Sequence, residues 1–242
     1  DSITGFFVDS VQVEKNFDIP SAGLHILGGN VLYEGGNTVT GTAVLLGRCN
    51  NDYFVIDTTQ YQQYGYFYFT SLPRCNYSVR IIEADGNIDD SSVPTYLGSV
   101  FQWESATYVN LSADEYCANI TLPSQQSTTG ICEISGTINA DDPSGYDVLL
   151  YTENMTPFSF RHCATNGYFH FTGIPYGNYW LFSEKFGFTA ASQPVSLSMS
   201  NPSAYISLNT ITQTGELERS GLTMFPNPAE DYLQLIPAPE GE

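Results

Sequence analysis

Gly65-Tyr66-Phe67-Tyr68-Phe69-Thr70-Ser71-Leu72-Pro73-Arg74-Cys75-Asn76-Tyr77 is answered, without a gap, by Gly167-Tyr168-Phe169-His170-Phe171-Thr172-Gly173-Ile174-Pro175-Tyr176-Gly177-Asn178-Tyr179. A repeat of this kind sets the architecture before any single element is assigned. Working outward, Val44-Leu45-Leu46 lines up with Val148-Leu149-Leu150, and Ile26-Leu27-Gly28-Gly29 with Ile134-Ser135-Gly136-Thr137. Downstream, Val109-Asn110-Leu111 and Ile120-Thr121-Leu122 answer Val195-Ser196-Leu197 and Ile206-Ser207-Leu208. Two copies of one module are therefore present. In each, short segments alternate with period two, favour aromatic and β-branched residues and are punctuated by Gly, Pro and Asn, the pattern of strands. The alternation predicts Phe67, Phe69, Phe169 and Phe171 facing a core, with Tyr66, Tyr68, Tyr168 and His170 facing away.

About seven strands in roughly 80 to 100 residues suit a β-sandwich, whose inner faces bury such alternating residues. The expected fold is all-β, with two tandem seven-stranded sandwiches over residues 26–123 and 134–211 joined by a linker at 124–133. A strand-like extension (1–25) precedes them, and a linker with a short strand-like tail (212–242) follows.

Composition bounds the function. Seven Lys plus Arg against 26 Asp plus Glu leave a net charge of −19 over 242 residues, which excludes a nucleic-acid-binding surface because phosphates need a cationic footprint. An apolar content of 42% supplies a core and argues against disorder. No apolar run approaches the 18 or so residues of a transmembrane helix. No basic-then-apolar leader precedes Asp1, so the chain reads as cytosolic or already processed. The five cysteines form neither a C-x-x-C pair nor a zinc-spaced cluster with histidine. With only two Lys and many Ser, Thr, Asn and Tyr, they suit an exported protein with one or two disulfides and an odd thiol.

The run Ile134-Ser135-Gly136-Thr137-Ile138, followed by a short strand and then Thr165-Asn166-Gly167-Tyr168 through Tyr179, resembles the carboxypeptidase regulatory-like domain. That resemblance implies a transthyretin-like, Greek-key β-sandwich, similar also to the B-type repeats of surface adhesins, and an accessory rather than a peptidase role. The first copy departs by carrying Cys75 where the turn glycine stands and by inserting residues before Gly65. Its segment Pro94-Thr95-Tyr96-Leu97-Gly98, then Trp103 and Ala106-Thr107, resembles versions in secreted proteins of Bacteroidota. In the tail, Phe225-Pro226-Asn227-Pro228-Ala229, followed by Tyr232-Leu233-Gln234-Leu235, resembles the start of a type IX secretion C-terminal sorting domain. The resemblance implies export to the cell surface and engagement of the secretion machinery. Ser2, Ser10 and Thr58, each after Asp and before an apolar residue or Thr, resemble O-glycosylation sites of the same bacteria.

Little in the chain points to catalysis. His25, His162 and His170 are the only imidazoles, and none sits in a recognisable nucleophile–base context. His162 and His170 read as solvated strand residues, with a metal pair across a hairpin as the alternative. Asp85, Asn87, Asp89 and Asp90 present oxygen ligands at close spacing around Gly86; they read as a solvated turn or as a calcium site, and no cofactor is required. For the disulfide, Cys49–Cys75 is preferred and Cys75–Cys117 competes, since spacing alone does not fix connectivity.

The surface is where function is expected. Tyr53, Tyr61, Tyr64, Tyr66 and Tyr68 gather more aromatic area around one hairpin than an inner face can use, and exposed aromatic patches mark contacts. Phe6, Phe7, Val11 and Val13 lie in an N-terminal strand outside both repeats, available for exchange onto an open sheet edge. The expected function is that of a non-enzymatic extracellular structural protein, a subunit of a cell-surface filament or surface assembly formed by β-strand and sandwich contacts. Its partners would be other copies or neighbouring surface proteins. The alternatives are a glycan- or protein-binding adhesin module and the accessory region of a larger secreted hydrolase.

Overall fold

The computed structural model describes residues 6–8, 11–13, 23–33, 40–49, 52–61, 64–83, 92–123, 129–210, 222–225 and 234–237. In chain order the strands are β1 (Phe6–Val8), β2 (Val11–Val13), β3 (His25–Tyr33), β4 (Gly41–Cys49), β5 (Asp52–Tyr61), β6 (Tyr66–Leu72), β7 (Asn76–Glu83), β8 (Thr95–Tyr96), β9 (Val109–Asn110) and β10 (Ile120–Leu122). They continue as β11 (Cys132–Asn139), β12 (Asp147–Thr152), β13 (Pro157–His162), β14 (Tyr168–Ile174), β15 (Gly177–Glu184), β16 (Ser192–Leu197), β17 (Ser203–Asn209), β18 (Leu222–Phe225) and β19 (Gln234–Pro237). One 3-10 turn, Trp103–Ser105, sits between β8 and β9.

The repeat appears as a repeated topology. In the first sandwich a three-stranded sheet β10-β3-β6 faces a sheet β5-β4-β7, with β8 and β9 both pairing with β7. In the second, β17-β11-β14 faces β13-β12-β15-β16. In both, the last strand runs parallel to the first, β10 beside β3 and β17 beside β11, and the remaining pairs are antiparallel. Residues Gly23–Gln213 form one compact unit.

Alternation delivers the predicted cores. Phe67 and Phe69 are buried with Leu27, Leu45, Val79 and Ile120, and Phe169 and Phe171 with Ile134, Leu150, Leu181 and Leu208. Tyr66, Tyr68 and Tyr168 point outward and are exposed. The quoted repeat begins at the same backbone device: Gly65 and Gly167 both adopt positive φ, and a side chain at either would run into the carbonyl oxygen of Val31 or Ile138. Six residues on, Ser71 takes the positive φ that Gly173 takes in the second copy, a conformation that favours glycine.

Sheet register corrects the outer parts of the alignment. Leu27 pairs with Phe69 as Ile134 pairs with Phe171, so Ile134 answers Leu27 rather than Ile26. Leu45 pairs with Val79 as Leu150 pairs with Leu181, again a shift of one. Ile120 pairs with Val31 as Leu208 pairs with Ile138, a shift of two that keeps the same face inward.

The N-terminal stretch read as one strand is two, β1 and β2, paired antiparallel from Phe6 opposite Val13 to Val8 opposite Val11. In the tail, β18 and β19 also pair antiparallel.

Candidate functional site

The two sandwiches meet through the outer faces of their larger sheets, and the junction holds a buried charged cluster. β12 is buried on both sides, because Val148 and Leu150 face the second core while Leu149 and Tyr151 face outward into a separate apolar cluster with Val93 and Phe160. The covering residues come from the segment between β7 and β9 of the first copy: Val93, with Phe101 packed against it, and beside them Tyr96 and Trp103. Trp103 packs edge-on against Tyr53 and Phe186, at ring-centroid distances of 4.8 and 5.7 Å, and its Nε1–H donates to the Phe188 carbonyl at 2.7 Å.

Five polar side chains complete this junction. Arg80 of β7 donates to Asp147 Oδ2, and His162 on β13 engages the other oxygen of the same carboxylate through Nδ1. Tyr96 O–H donates to Glu184 Oε1 at 2.7 Å, the Trp103 backbone N–H donates to the same atom at 3.2 Å, and the Arg80 guanidinium lies 5.5 Å from the Tyr96 ring centre. Asp147 and Glu184 are both buried, and they titrate in opposite directions. Burial alone would raise Asp147, but the Arg80 charge and the His162 hydrogen bond outweigh it and hold the carboxyl below its ordinary range. Burial dominates at Glu184 and pushes it up to about 8 against the counter-pull of Tyr96 and Arg80, with Glu104 adding to the rise. The hydrogen bond to Asp147 raises His162 above its usual value.

This cluster is chemically a clamp. Among the described residues no group of three His, Cys, Asp or Glu could hold a metal ion. His162 engages Asp147 through Nδ1, and His170 Nε2 lies 3.5 Å from Glu133, so each imidazole meets a carboxylate. His162 is also not a merely solvated strand residue, since its partner is the buried Asp147. His25 Nδ1 sits 3.7 Å from Asp114 Oδ1.

The tyrosines expected at one surface separate into three environments. Tyr64, Tyr66 and Tyr68 are strongly exposed, Tyr66 by 67%. Tyr61 is a correction: it closes the first core at 1% exposure, because it ends β5 opposite Gly41, whose lack of a side chain admits the ring. Tyr53 is a second correction, packed at the inter-module junction against Trp103 and Phe186. Missed from the sequence were Phe54, Val55 and Ile56, adjacent on β5 and all exposed. Their signal was the loss of alternation in Tyr53-Phe54-Val55-Ile56.

Cys75 is disulfide-bonded, whereas Cys117 is exposed and free, Cys132 buried and free, and Cys163 half-buried and free. The free state of Cys117 removes the Cys75–Cys117 pairing. Thr58 is exposed on β5. Ser2, Ser10 and the acidic stretch Asp85, Asn87, Asp89 and Asp90 lie outside the described residues. Phe6, Phe7, Val11 and Val13 are in β1 and β2. No helix among the described residues is long and apolar enough to cross a membrane.

No protein-family description matches the chain, and no curated protein matches it. Among solved structures, the Bacillus anthracis TIE protein is similar at 15% identity and TM-score 0.27, over 87% of this chain and 41% of its own. GBS52, the minor pilin of Streptococcus agalactiae, is similar at 13% identity and TM-score 0.27, over 77% of this chain and 96% of its own. Two B repeat units of the collagen-binding protein of Staphylococcus aureus are similar at 13% identity and TM-score 0.25, over 79% and 50%. The chain thus spans less than half of the first and half of the third.

Proposed function

We propose that this chain is a non-enzymatic structural subunit of an extracellular surface assembly, made of two carboxypeptidase regulatory-like modules over 26–123 and 134–211 and exported by type IX secretion. The observation that carries the reading is the apolar exposure of the first module, where Tyr64, Tyr66 and Tyr68 stand in solvent and the edge strand β5 shows Phe54, Val55 and Ile56. Exposed aromatic and aliphatic side chains, the latter along an open sheet edge, are the chemistry of a contact surface. The buried Arg80–Asp147 and Tyr96–Glu184 pairs support a building-block role, because they hold the two sandwiches as one body.

The pairing Cys49–Cys75 belongs to this proposal; Cys75 Sγ lies 3.3 Å from the carbonyl oxygen of Arg48, the residue before Cys49. Export is supported by the resemblance of Phe225-Pro226-Asn227-Pro228-Ala229 to a sorting-domain start, and glycosylation at Ser2, Ser10 and Thr58 by their resemblance to acceptor sites. Light scattering and electron microscopy over rising concentration test the assembly. Regular oligomers or fibres are expected, and a strict monomer at every concentration refutes the reading. The exposed Tyr66 and Tyr68 also favour stacking on sugar rings; glycan-array binding lost in Tyr66→Ser and Tyr68→Ser would favour that adhesin role.

A further inference from the structure

The two modules finish one edge differently, and the difference exposes a docking groove. At this edge β5 lies beside β6 in the first module and β13 beside β14 in the second, each the outer strand of its sheet. Aligned through sheet register, Ile56 answers Phe158, Val55 answers Pro157 and Thr59 answers Arg161; Ile56 and Phe158 are the extra residue of the same β-bulge. In the second module the opening is filled from within. The Phe158 ring packs edge-on against Tyr179 at 5.7 Å, and Arg161 reaches from β13 to donate from Nε to the His170 carbonyl at 3.0 Å, over the Phe171 ring. Pro157 also withholds an N–H from any strand arriving at the edge.

None of these three devices exists in the first module. Between β5 and β6 lies a groove of about 620 Å³, lined by Phe54, Val55, Ile56, Leu72, Pro73 and Tyr77 among others. Val55 is 58% exposed, and the ten residues of β5 contain no proline. Arg74, also on the groove, is exposed and makes no ion pair with a described residue. The other described cations are engaged: Arg48 with the rings of Tyr53 and Tyr108, Arg80 with Asp147, Arg161 with β14, and Lys185 with Asp142.

We infer that the β5 edge of the first module receives the N-terminal stretch Phe6–Val13 of a second copy by β-strand addition. The inference rests on the reading of the chain as a self-assembling subunit and names the site through which it assembles. The groove carries one charge of each sign, Arg74 and Asp57, so recognition of the strand rests on the open main-chain edge and the apolar lining, with Arg74 placed to take a carboxylate. Phe6-Phe7-Val8 offers aromatic side chains of the kind that Phe158 places in the equivalent opening, and Asp9 follows with a carboxylate for Arg74. Among the described residues β1 and β2 pair at three positions, whereas β5 offers a ten-residue edge. Moving onto that edge gains main-chain hydrogen bonds, and the groove adds side-chain burial.

The test uses the full chain and a synthetic peptide of residues 3–13. The peptide is expected to bind the chain and slow amide hydrogen exchange along β5. Val55→Asp, at an exposed position and with an unchanged melting temperature, should weaken peptide binding and self-association at least tenfold. Deleting residues 1–13 should abolish self-association while leaving peptide capture intact. A peptide that leaves β5 exchange unchanged, or a folded Val55→Asp chain that assembles like the parent, overturns the groove. If assembly persists in that case, the subunit reading survives without it. Peptide capture by a chain that stays monomeric at every concentration supports the groove and overturns the subunit reading.

Discussion

Replacing Glu184 with Gln should change how stability depends on pH more than it changes the structure. Glu184 Oε1 accepts from Tyr96 O–H and from the Trp103 N–H, and a glutamine oxygen accepts both equally. In the folded chain burial raises the carboxyl to about 8 from an ordinary 4.5. Between those values the unfolded chain has released the proton and the folded chain still holds it. Stability therefore falls as pH rises, by up to about 1.4 kcal/mol per pH unit for one proton. Across the window the loss is on the order of 4 to 5 kcal/mol. Asp147 acts in the opposite sense, its depressed value contributing stability that is lost as pH falls. His162, raised by Asp147, contributes stability that is lost as pH climbs through its folded value. Both are present in parent and variant, so the difference between the two isolates Glu184. Glu184 Oε2 has no hydrogen-bond partner, and the amide of Gln inherits that position, which adds a pH-independent offset. Urea denaturation at pH 4.5 to 8.5 reads the result: the Glu184→Gln advantage should grow by about 3 kcal/mol or more from the acid to the alkaline end. Parallel pH profiles for the two proteins would refute the buried, proton-retaining carboxyl.

Other consequences of the junction and the core are equally measurable. Arg80→Met leaves the buried Asp147 with only His162 as partner and should cost about 3–5 kcal/mol in urea denaturation at pH 7. Trp103→Ala empties the aromatic cluster formed with Tyr53 and Phe186 and should cost about 3–5 kcal/mol by the same measurement. Native-state alkylation followed by peptide mapping should label the exposed Cys117 first. Cys163, which burial pushes up to about 12, should follow slowly, and the buried Cys132 should react only on unfolding. Tyr66→Ser should change stability by no more than about 0.5 kcal/mol, since the ring makes no core contact.

Much of the fold was legible because alternation is a local signal. Tyr66 through Phe69 and Tyr168 through Phe171 declare which side chains go inward, and the glycine before each declares the turn. Register was less legible. Leu27-Gly28-Gly29 and Val44-Leu45-Leu46 admit two alignments one residue apart, and β12 is apolar on both faces, so alternation could not choose between them. The continuous run Val148-Leu149-Leu150-Tyr151 was itself the mark of a strand buried on both sides. The burial of Tyr61 and the packing of Tyr53 at the junction leave no local trace in the sequence, because burial depends on what covers a strand and the cover comes from distant residues.

The sequence alone determined that this protein is a doubled all-β module with inward phenylalanines, outward tyrosines and a strongly acidic surface, because each of these follows from spacing or composition. Tertiary structure decided the rest. Arg80, Asp147 and Glu184 are widely separated in the chain, and only packing of two sheet faces makes them partners in a medium where a carboxyl keeps its proton near neutrality. The open groove of the first module likewise emerged only when register set Ile56 against Phe158 and Thr59 against Arg161. Cavities and buried charges belong to the space between strands, and periodicity within a strand does not encode that space.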